Sequence, residues 1–381
     1  MIVSWYVPYH KLDSEQSKMI NDMVNDLGHI HWVKGFAGTG KSTVLLNFAQ
    51  QLQGMNNNKS FCFITYTHAL VELLKVAVNA HQLKNMAVMT HTQFLNQPYR
   101  YHFVFLDEVQ DISEADLLKI RQRADYLFLA GDCEQNIYEQ STREDQIRSI
   151  FGPKEHELTF MHRLTANIQK IASKILINSG LIYGKEKNTN ADTTAKLIKF
   201  DAVQDEYEWL EKEAMQRSKP FKPYAILFSF HEDIENFYKF LSHKHNIDLR
   251  YLGKRLNYMY LNEELIKKGL NFCYLGNGFG SLEISDSKPI VYIMTIHSSK
   301  GLDFQGVFIP HLNANRRFHW QEVEGLEQRM LFVATTRTRQ DLFLTYTSDE
   351  PHEFLKDIPS EFLIHHKQLL TDIDEEEEEY F

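Results

Sequence analysis

Nine consecutive residues, Gly35-Phe36-Ala37-Gly38-Thr39-Gly40-Lys41-Ser42-Thr43, set glycines, a lysine and hydroxyls in the spacing G-x-x-x-x-G-K-[ST]. Glycines let backbone N–H groups close around phosphate oxygens without Cβ clashes, and a helix starting at Lys41 adds partial positive charge there. Lys41 suits the β- and γ-phosphates, and the Ser42 hydroxyl suits Mg²⁺. Some 65 residues on, Phe103-Val104-Phe105-Leu106 runs into Asp107-Glu108. An aspartate at a strand end can hold Mg²⁺, and the adjacent glutamate can orient and deprotonate an attacking water. The two clusters together imply a site for a nucleoside triphosphate and its hydrolysis.

The flanking residues supply the elements such a site needs. Ile30, Trp32 and Val33 read as a buried strand, and Val44, Leu45, Phe48, Ala49 and Leu52 recur at helical spacing. Further strands are predicted at 61–65, 87–89, 103–106 and 126–130, alternating with helices. That alternation indicates a parallel α/β sheet, whose ligands gather at the carboxyl ends of its strands. A second α/β set has strands predicted at 196–200, 224–228, 290–296, 306–310 and 342–346, with helices over about 204–216 and 234–241. The stretch 253–288 lacks clear periodicity and reads as a small insertion or a set of loops.

Composition narrows the setting. The chain is 43% hydrophobic and 24% charged, ordinary for a water-soluble globular protein of two core domains. No apolar run approaches the ~20 residues of a membrane span. Cys62, Cys133 and Cys273 are scattered without metal-ligand spacing, so a reducing cytoplasm without zinc is the expected setting. The formal charge of −10 is uneven: Asp372, Asp374 and Glu375–Glu379 hold seven of the negative charges, leaving about −3 elsewhere. Net charge therefore does not exclude a locally basic groove for nucleic acid. The tail Asp372–Phe381 reads either as a solvated end or as an acidic, aromatic-tipped peptide that docks on a protein partner or over such a groove.

Further motifs follow in order, and with them the chain resembles the UvrD/Rep-type superfamily 1 helicases. Asp107-Glu108-Val109-Gln110-Asp111 is similar to the family's second motif, and Leu12 with Gln16 to its adenine-reading Q motif. Thr65-Tyr66-Thr67-His68 resembles an element that touches single-stranded DNA. Gly131-Asp132-Cys133-Glu134-Gln135-Asn136-Ile137-Tyr138 resembles the third motif, with Gln135 at the γ-phosphate-sensing position. His162-Arg163-Leu164-Thr165-Ala166-Asn167-Ile168 resembles the Y-R-S motif. Thr295-Ile296-His297-Ser298-Ser299-Lys300-Gly301-Leu302-Asp303-Phe304 is close to T-L-H-S-A-K-G-L-E-F. Val333-Ala334-Thr335-Thr336-Arg337-Thr338-Arg339 matches the motif that carries the arginine finger.

The resemblance implies two RecA-like P-loop NTPase domains with parallel sheets and ATP in the interdomain cleft. They are expected at 1–153 and 154–370, with the insertion at about 253–288 and the acidic tail at 371–381. Lys41, Glu108, Gln135, Arg163 and Arg337 take the catalytic roles, with Arg163 and Arg337 expected in the second domain. Gln16, Gly35, Gly38, Thr39, Gly40, Ser42, Thr43, His162, Gly301 and Asp303 hold ATP; Ser42 and Asp107 hold Mg²⁺. Thr65, Thr67 and Thr90 suit phosphate contacts, and His91, Phe94, Tyr138 and His297 suit stacking on bases. The implied function is an ATP-dependent translocase or helicase on single-stranded DNA or tailed duplexes, moving 3′ to 5′. The alternative is a regulatory ATPase that senses nucleic acid and switches a partner such as a nuclease. Three departures stand out. His162 replaces the usual adenine-stacking tyrosine, and Glu139-Gln140-Ser141 follow Tyr138 where a tryptophan is usual. The large domains normally inserted in each half are also missing.

Overall fold

The computed structural model describes residues 7–55, 58–138, 140–177, 179–187, 195–276, 278–282, 287–314, 316–320 and 323–367. The acidic tail Asp372–Phe381 lies outside them. The chain divides into two compact units, Met1–Leu164 with Ser179–Asn188, and Thr165–Asn178 with Thr189–Phe381.

The first unit is built on β1 (His31–Gly35), β2 (Phe61–Thr65), β3 (Met86–Thr90), β4 (Tyr101–Leu106), β5 (Ala124–Gly131) and β6 (Lys154–Leu158). All pair in parallel, in the order β3-β2-β4-β5-β1-β6. Side chains alternate across the strands, so a sheet covered on both faces needs apolar residues at both parities. Val33, Phe61, Phe63, Phe103, Phe105 and Phe128 point to one face, and Trp32, Cys62, Ile64, Val104, Leu106 and Leu129 to the other. Helices α1 (Ser14–Val24), α2 (Lys41–Met55) and α3 (His68–Ala80) cover the first face. Helices α4 (His91–Leu95), α5 (Glu114–Arg121) and α6 (Glu144–Phe151) cover the second. Phe61 stacks on Phe103 and Phe105 on Phe128, and Phe48 of α2 meets Phe128 edge-on at 4.7 Å. This aromatic layer seats the helix that follows the glycine-rich loop.

Two expectations about organisation are corrected. The boundary expected at 153/154 falls at 164/165, because β6 pairs with β1 from His31↔Lys154 to Gly35↔Leu158. A two-stranded ribbon of β7 (Phe160–Met161) and β8 (Lys185–Glu186) also stays with the first unit. The presumed insertion at 253–288 is largely integral to the second unit, as its strand order makes plain.

That unit opens with α7 (Ala166–Ile175), then β9 (Ala195–Lys199), α8 (Val203–Arg217), β10 (Tyr224–Phe228) and α9 (His231–Lys244). Next come a hairpin of β11 (Tyr251–Leu252) and β12 (Arg255–Leu256), α10 (Tyr258–Lys267) and β13 (Phe272–Tyr274). After β14 (Val291–Thr295) and α11 (Ile296–Ser299) follow β15 (Phe304–Ile309), α12 (Leu326–Thr335), β16 (Thr338–Tyr346), α13 (Glu353–Lys356) and β17 (Leu363–Lys367). The parallel sheet runs β13-β14-β10-β15-β16-β9-β17. Thus β13 extends the main sheet by pairing with β14, and α10 buries Tyr258, Leu261 and Leu265 in the core beside it. Its short strand and single helical stripe blur the periodicity that sequence inspection relies on.

Candidate nucleotide and nucleic-acid site

In the first unit the glycine-rich loop links the end of β1 to the first turn of α2. Gly38 (φ +77°) and Gly40 (φ +88°) lie in the left-handed region, and a Cβ on either would collide with a neighbour. At Gly38 the neighbour is the Arg163 Cβ; at Gly40 it is the Gln16 side-chain amide. Both glycines therefore admit a side chain named among the site residues. Lys41 Nζ donates to the Gly35 carbonyl at 2.8 Å and the Phe36 carbonyl at 3.1 Å, curling the ammonium into the loop it would share with phosphates. Thr39 Oγ1 donates to the Phe36 carbonyl at 3.0 Å.

Gln16 is held at both ends of its amide. Its Oε1 accepts from the Asp13 N–H at 3.2 Å, completing a capping box on α1, and its Nε2 donates to the Thr39 carbonyl at 2.9 Å. Asp13 also meets His162 Nε2 at 2.7 Å, while the His162 N–H donates to the Gly38 carbonyl at 2.9 Å. The Glu15 carboxylate accepts from Thr159 N, Thr159 Oγ1 and Phe160 N. Burial there opposes ionisation, yet these bonds hold its pKa below the usual carboxylate value. Helix α1 thus fastens the 159–163 segment beside the loop. Arg163 accordingly belongs to the same unit as Lys41, not to the second domain as expected.

The acid pair sits at the end of β4. Ser42 Oγ donates to Asp107 Oδ2 at 2.5 Å, and the Glu108 N–H donates to Asp107 Oδ1 at 3.0 Å. Burial, and then the neighbouring Glu108 charge, push the Asp107 pKa up to about 6. A divalent cation would reverse that logic, because its charge favours the ionised carboxylate. A serine and an aspartate oxygen in contact suit Mg²⁺, a hard cation that keeps waters and substrate phosphates among its ligands. Among the described residues no group of three His, Cys, Asp or Glu side chains forms a self-sufficient metal cage. Glu108 adopts φ +54°, a left-handed conformation that costs a non-glycine residue roughly 1–3 kcal/mol. It turns the chain so that Gln110 Nε2 meets Glu108 Oε2 at 2.5 Å. Gln135 Nε2 donates to Asp132 Oδ2 at 2.7 Å at the end of β5.

The residues assigned to nucleic acid divide. Tyr66 lies between His91, at 4.9 Å and nearly parallel, and Tyr138, at 4.2 Å between ring centroids. Thr67 caps α3 through the Leu70 N–H. Thr90 is buried and caps α4 with Gln93 in a reciprocal capping box. Thr65 is 0% exposed and Phe94 1% exposed, so the hydroxyl and the ring face the core and are withdrawn as surface contacts. Sequence reading gave Tyr66 no role of its own; strand parity places it with Cys62 and Ile64 on the second face, where it packs half-buried against that core cluster. It also passed over Asp13 and Gln110, each of which has one partner distant in the chain.

In the second unit, Thr295 caps α11 through the Ser298 N–H, and the His297 and His319 rings lie 5.9 Å apart. Gly301 has φ +80°. Asp303 is gripped by Arg339 in a two-pronged ion pair of 2.9 and 3.2 Å. Arg337 is 1% exposed and donates to the Val333 carbonyl, the Leu302 carbonyl and Thr336 Oγ1.

The pattern of the viral superfamily 1 RNA helicase core domain matches residues 31–216, and that of the UvrD-like helicase C-terminal domain matches residues 263–349. The chain belongs to the UvrD-like helicases of superfamily 1. This UvrD-like chain is 33% identical to the ATP-dependent DNA helicase PcrA of Staphylococcus aureus, over 22% of its own length and 14% of that protein. It is 34% identical to the protein of the same name from Staphylococcus epidermidis over the same shares. It thus answers to a small part of the curated relatives it matches. Among solved structures, the arterivirus nonstructural protein 10 helicase is similar at 15% identity and a TM-score of 0.45, over 90% of this chain and 64% of that one. The same viral protein solved with DNA gives 16% and 0.43 over 85% and 63%. A TM-score below 0.5 leaves these as loose likenesses. No helix among the described residues of this helicase-family chain is long and apolar enough to cross a membrane.

Proposed function

We propose that this chain is an ATP-driven motor on single-stranded nucleic acid, with DNA as the track and 3′ to 5′ as the direction its motifs imply. The observation that carries the reading is the meeting of Ser42 with Asp107 at 2.5 Å beside Lys41 and Glu108. Mg²⁺, held by Ser42 and Asp107, would neutralise charge on the β- and γ-phosphate oxygens. Lys41 leaves its carbonyls for those phosphates, and the loop N–H groups with Gly35, Gly38, Thr39, Gly40 and Thr43 wrap them. Glu108 orients the attacking water and takes its proton, while Gln135 senses the γ-phosphate. Arg163 and Arg337 stabilise charge developing on the transferring group. Gln16 and His162 form the adenine end, with Gly301 and Asp303 completing the nucleotide contacts. Tyr66, His91 and Tyr138, with His297, supply stacking surface for bases, and Thr67 a phosphate contact.

The test is ATP turnover of the purified chain with and without oligo(dT). Stimulation supports the motor; a rate indifferent to every nucleic acid tried refutes it. Glu108→Gln should bind ATP and hydrolyse it about 10²–10⁴-fold more slowly, since the amide keeps the shape and loses the base. One observation favours a second reading, a regulatory ATPase that switches a partner. Only a helix end, a short loop and β4 separate Phe94 from Asp107, leaving no inserted domain to engage a duplex. Unwinding of a tailed duplex by the isolated chain decides between the two.

A further inference from the structure

Gln110 has no part in the chemistry outlined above, yet its side chain is completely buried between two segments that do. It sits in a single 3₁₀ turn, Val109–Asp111, entered through the left-handed Glu108. Its amide is used in both directions. Nε2 donates to Glu108 Oε2 at 2.5 Å, and Oε1 accepts from the Asp132 N–H at 3.2 Å. Asp132 in turn accepts from Glu134 N at 3.1 Å and Gln135 Nε2 at 2.7 Å, starting the 3₁₀ turn Cys133–Gln135. Three residues beyond Gln135 stands Tyr138, packed on Tyr66. The Gln110 carbonyl is also occupied, by the Thr142 N–H at 2.9 Å.

Gly131 supplies a second, independent observation. A Cβ at this position would collide with Gln110 Oε1 and press on Val109 Cγ1. Its φ lies outside the left-handed region, so backbone conformation does not demand a glycine here. What the missing side chain provides is room for the Gln110 amide.

We infer that Gln110 is a positioning residue that couples the Glu108 carboxylate to the Asp132–Tyr138 segment, so that nucleic acid engaged at the Tyr66 and Tyr138 rings is felt at the site of hydrolysis. This rests on the motor reading above. A buried amide suits such coupling, because with one donor and one acceptor engaged it has two discrete partners and little freedom between them. A shift of the Asp132 backbone moves the Gln110 amide, and the amide carries the carboxylate with it. Displacing a catalytic group by about 1 Å costs on the order of 10² in rate, so small motions suffice.

The experiment measures ATP affinity and single-turnover ATP hydrolysis, with and without saturating oligo(dT). The proteins are wild type, Gln110→Met, Gln110→Ala, Gly131→Ala and the Gln110→Ala/Gly131→Ala double variant, each checked for folding by circular dichroism. Gln110→Met keeps the buried volume and removes both hydrogen bonds. It should bind ATP within twofold of wild type, lose about 10²-fold in the oligo(dT)-stimulated rate, and show a stimulation ratio near one. Gly131→Ala should behave alike by expelling the amide. Truncating Gln110 removes the clash with its Oε1 and leaves only the Val109 contact, so the double variant should lose far less than the product of the two single losses. A purely structural role would lower stability or ATP affinity without abolishing stimulation. A stimulated wild type alongside an equally stimulated Gln110→Met, or multiplying losses in the double variant, overturns the coupling alone. An unstimulated wild type overturns the motor reading, and the coupling with it.

Discussion

The two units treat their charged residues in opposite ways. In the first, Lys41 rests on carbonyls of its own loop, and Asp107 and Glu108 lie side by side in a dry setting that pushes the Asp107 pKa up. In the second, Arg337 is wrapped by two carbonyls and a hydroxyl, and Asp303 is matched atom for atom by Arg339. The first arrangement is costly, and phosphates with a cation would relieve it. The second already has its hydrogen bonds within its own unit. The difference teaches that one fold type can give up stability at one set of strand ends and gain it at another.

The sharpest way to test that contrast is to delete one cation from each unit. Arg337→Ala should reduce single-turnover hydrolysis about 10³-fold, the low end for supplied arginines, and should also cost roughly 2–4 kcal/mol of stability because a buried hydrogen-bonded group is lost. Lys41→Ala should abolish hydrolysis and cost less stability, about 1 kcal/mol, since its ammonium bonds only two carbonyls of its own loop. Chemical denaturation beside single-turnover assays separates the two. Equal stability losses would erase the contrast.

A smaller effect tests the first unit directly. Asp107 has a folded pKa raised above its unfolded value, so its ionisation weakens the fold as pH rises from about 4 through about 6. Asp107→Asn should therefore stabilise the nucleotide-free protein in EDTA at pH 7.5 by about 1–3 kcal/mol, with the gain fading towards pH 4. Thermal midpoints across that range read it out; a destabilised variant would mean the pair is not strained.

Tyr66→Ala should weaken oligo(dT) binding by about 1–3 kcal/mol and leave the slope of affinity against salt unchanged, because stacking releases no counterions. Fluorescence anisotropy at several salt concentrations measures both. The smallest effect belongs to Thr65→Val. Its buried hydroxyl meets no hydrogen-bond partner among the described residues, so the isosteric swap should leave nucleic-acid affinity unaltered and stability equal or slightly higher. A loss of binding there would return Thr65 to the interface.

Much of the site is legible in the chain itself. The glycine-rich loop, the acid pair and the strand–helix alternation are local patterns, and local patterns are written in consecutive residues. Phe94 and Thr65 mislead because a motif names a segment without saying which way each side chain points. At Thr65 the parity of a buried strand decides that; at Phe94 the stripe of a single helical turn does. The region 253–288 hides β13 because three buried residues carry no period of their own.

What the sequence determined by itself was the kind of chemistry and its order along the chain, since phosphate loops, metal-binding acids and strand ends follow from residue type and short spacing. Tertiary structure alone decided the partners: Gln16 against Thr39, Arg163 against Gly38, Gln110 between Glu108 and Asp132, and Arg337 within its own carbonyls. These contacts join residues from two to well over a hundred positions apart. Sheet order and register bring the distant ones together, and those are set by the burial of whole faces instead of by any motif.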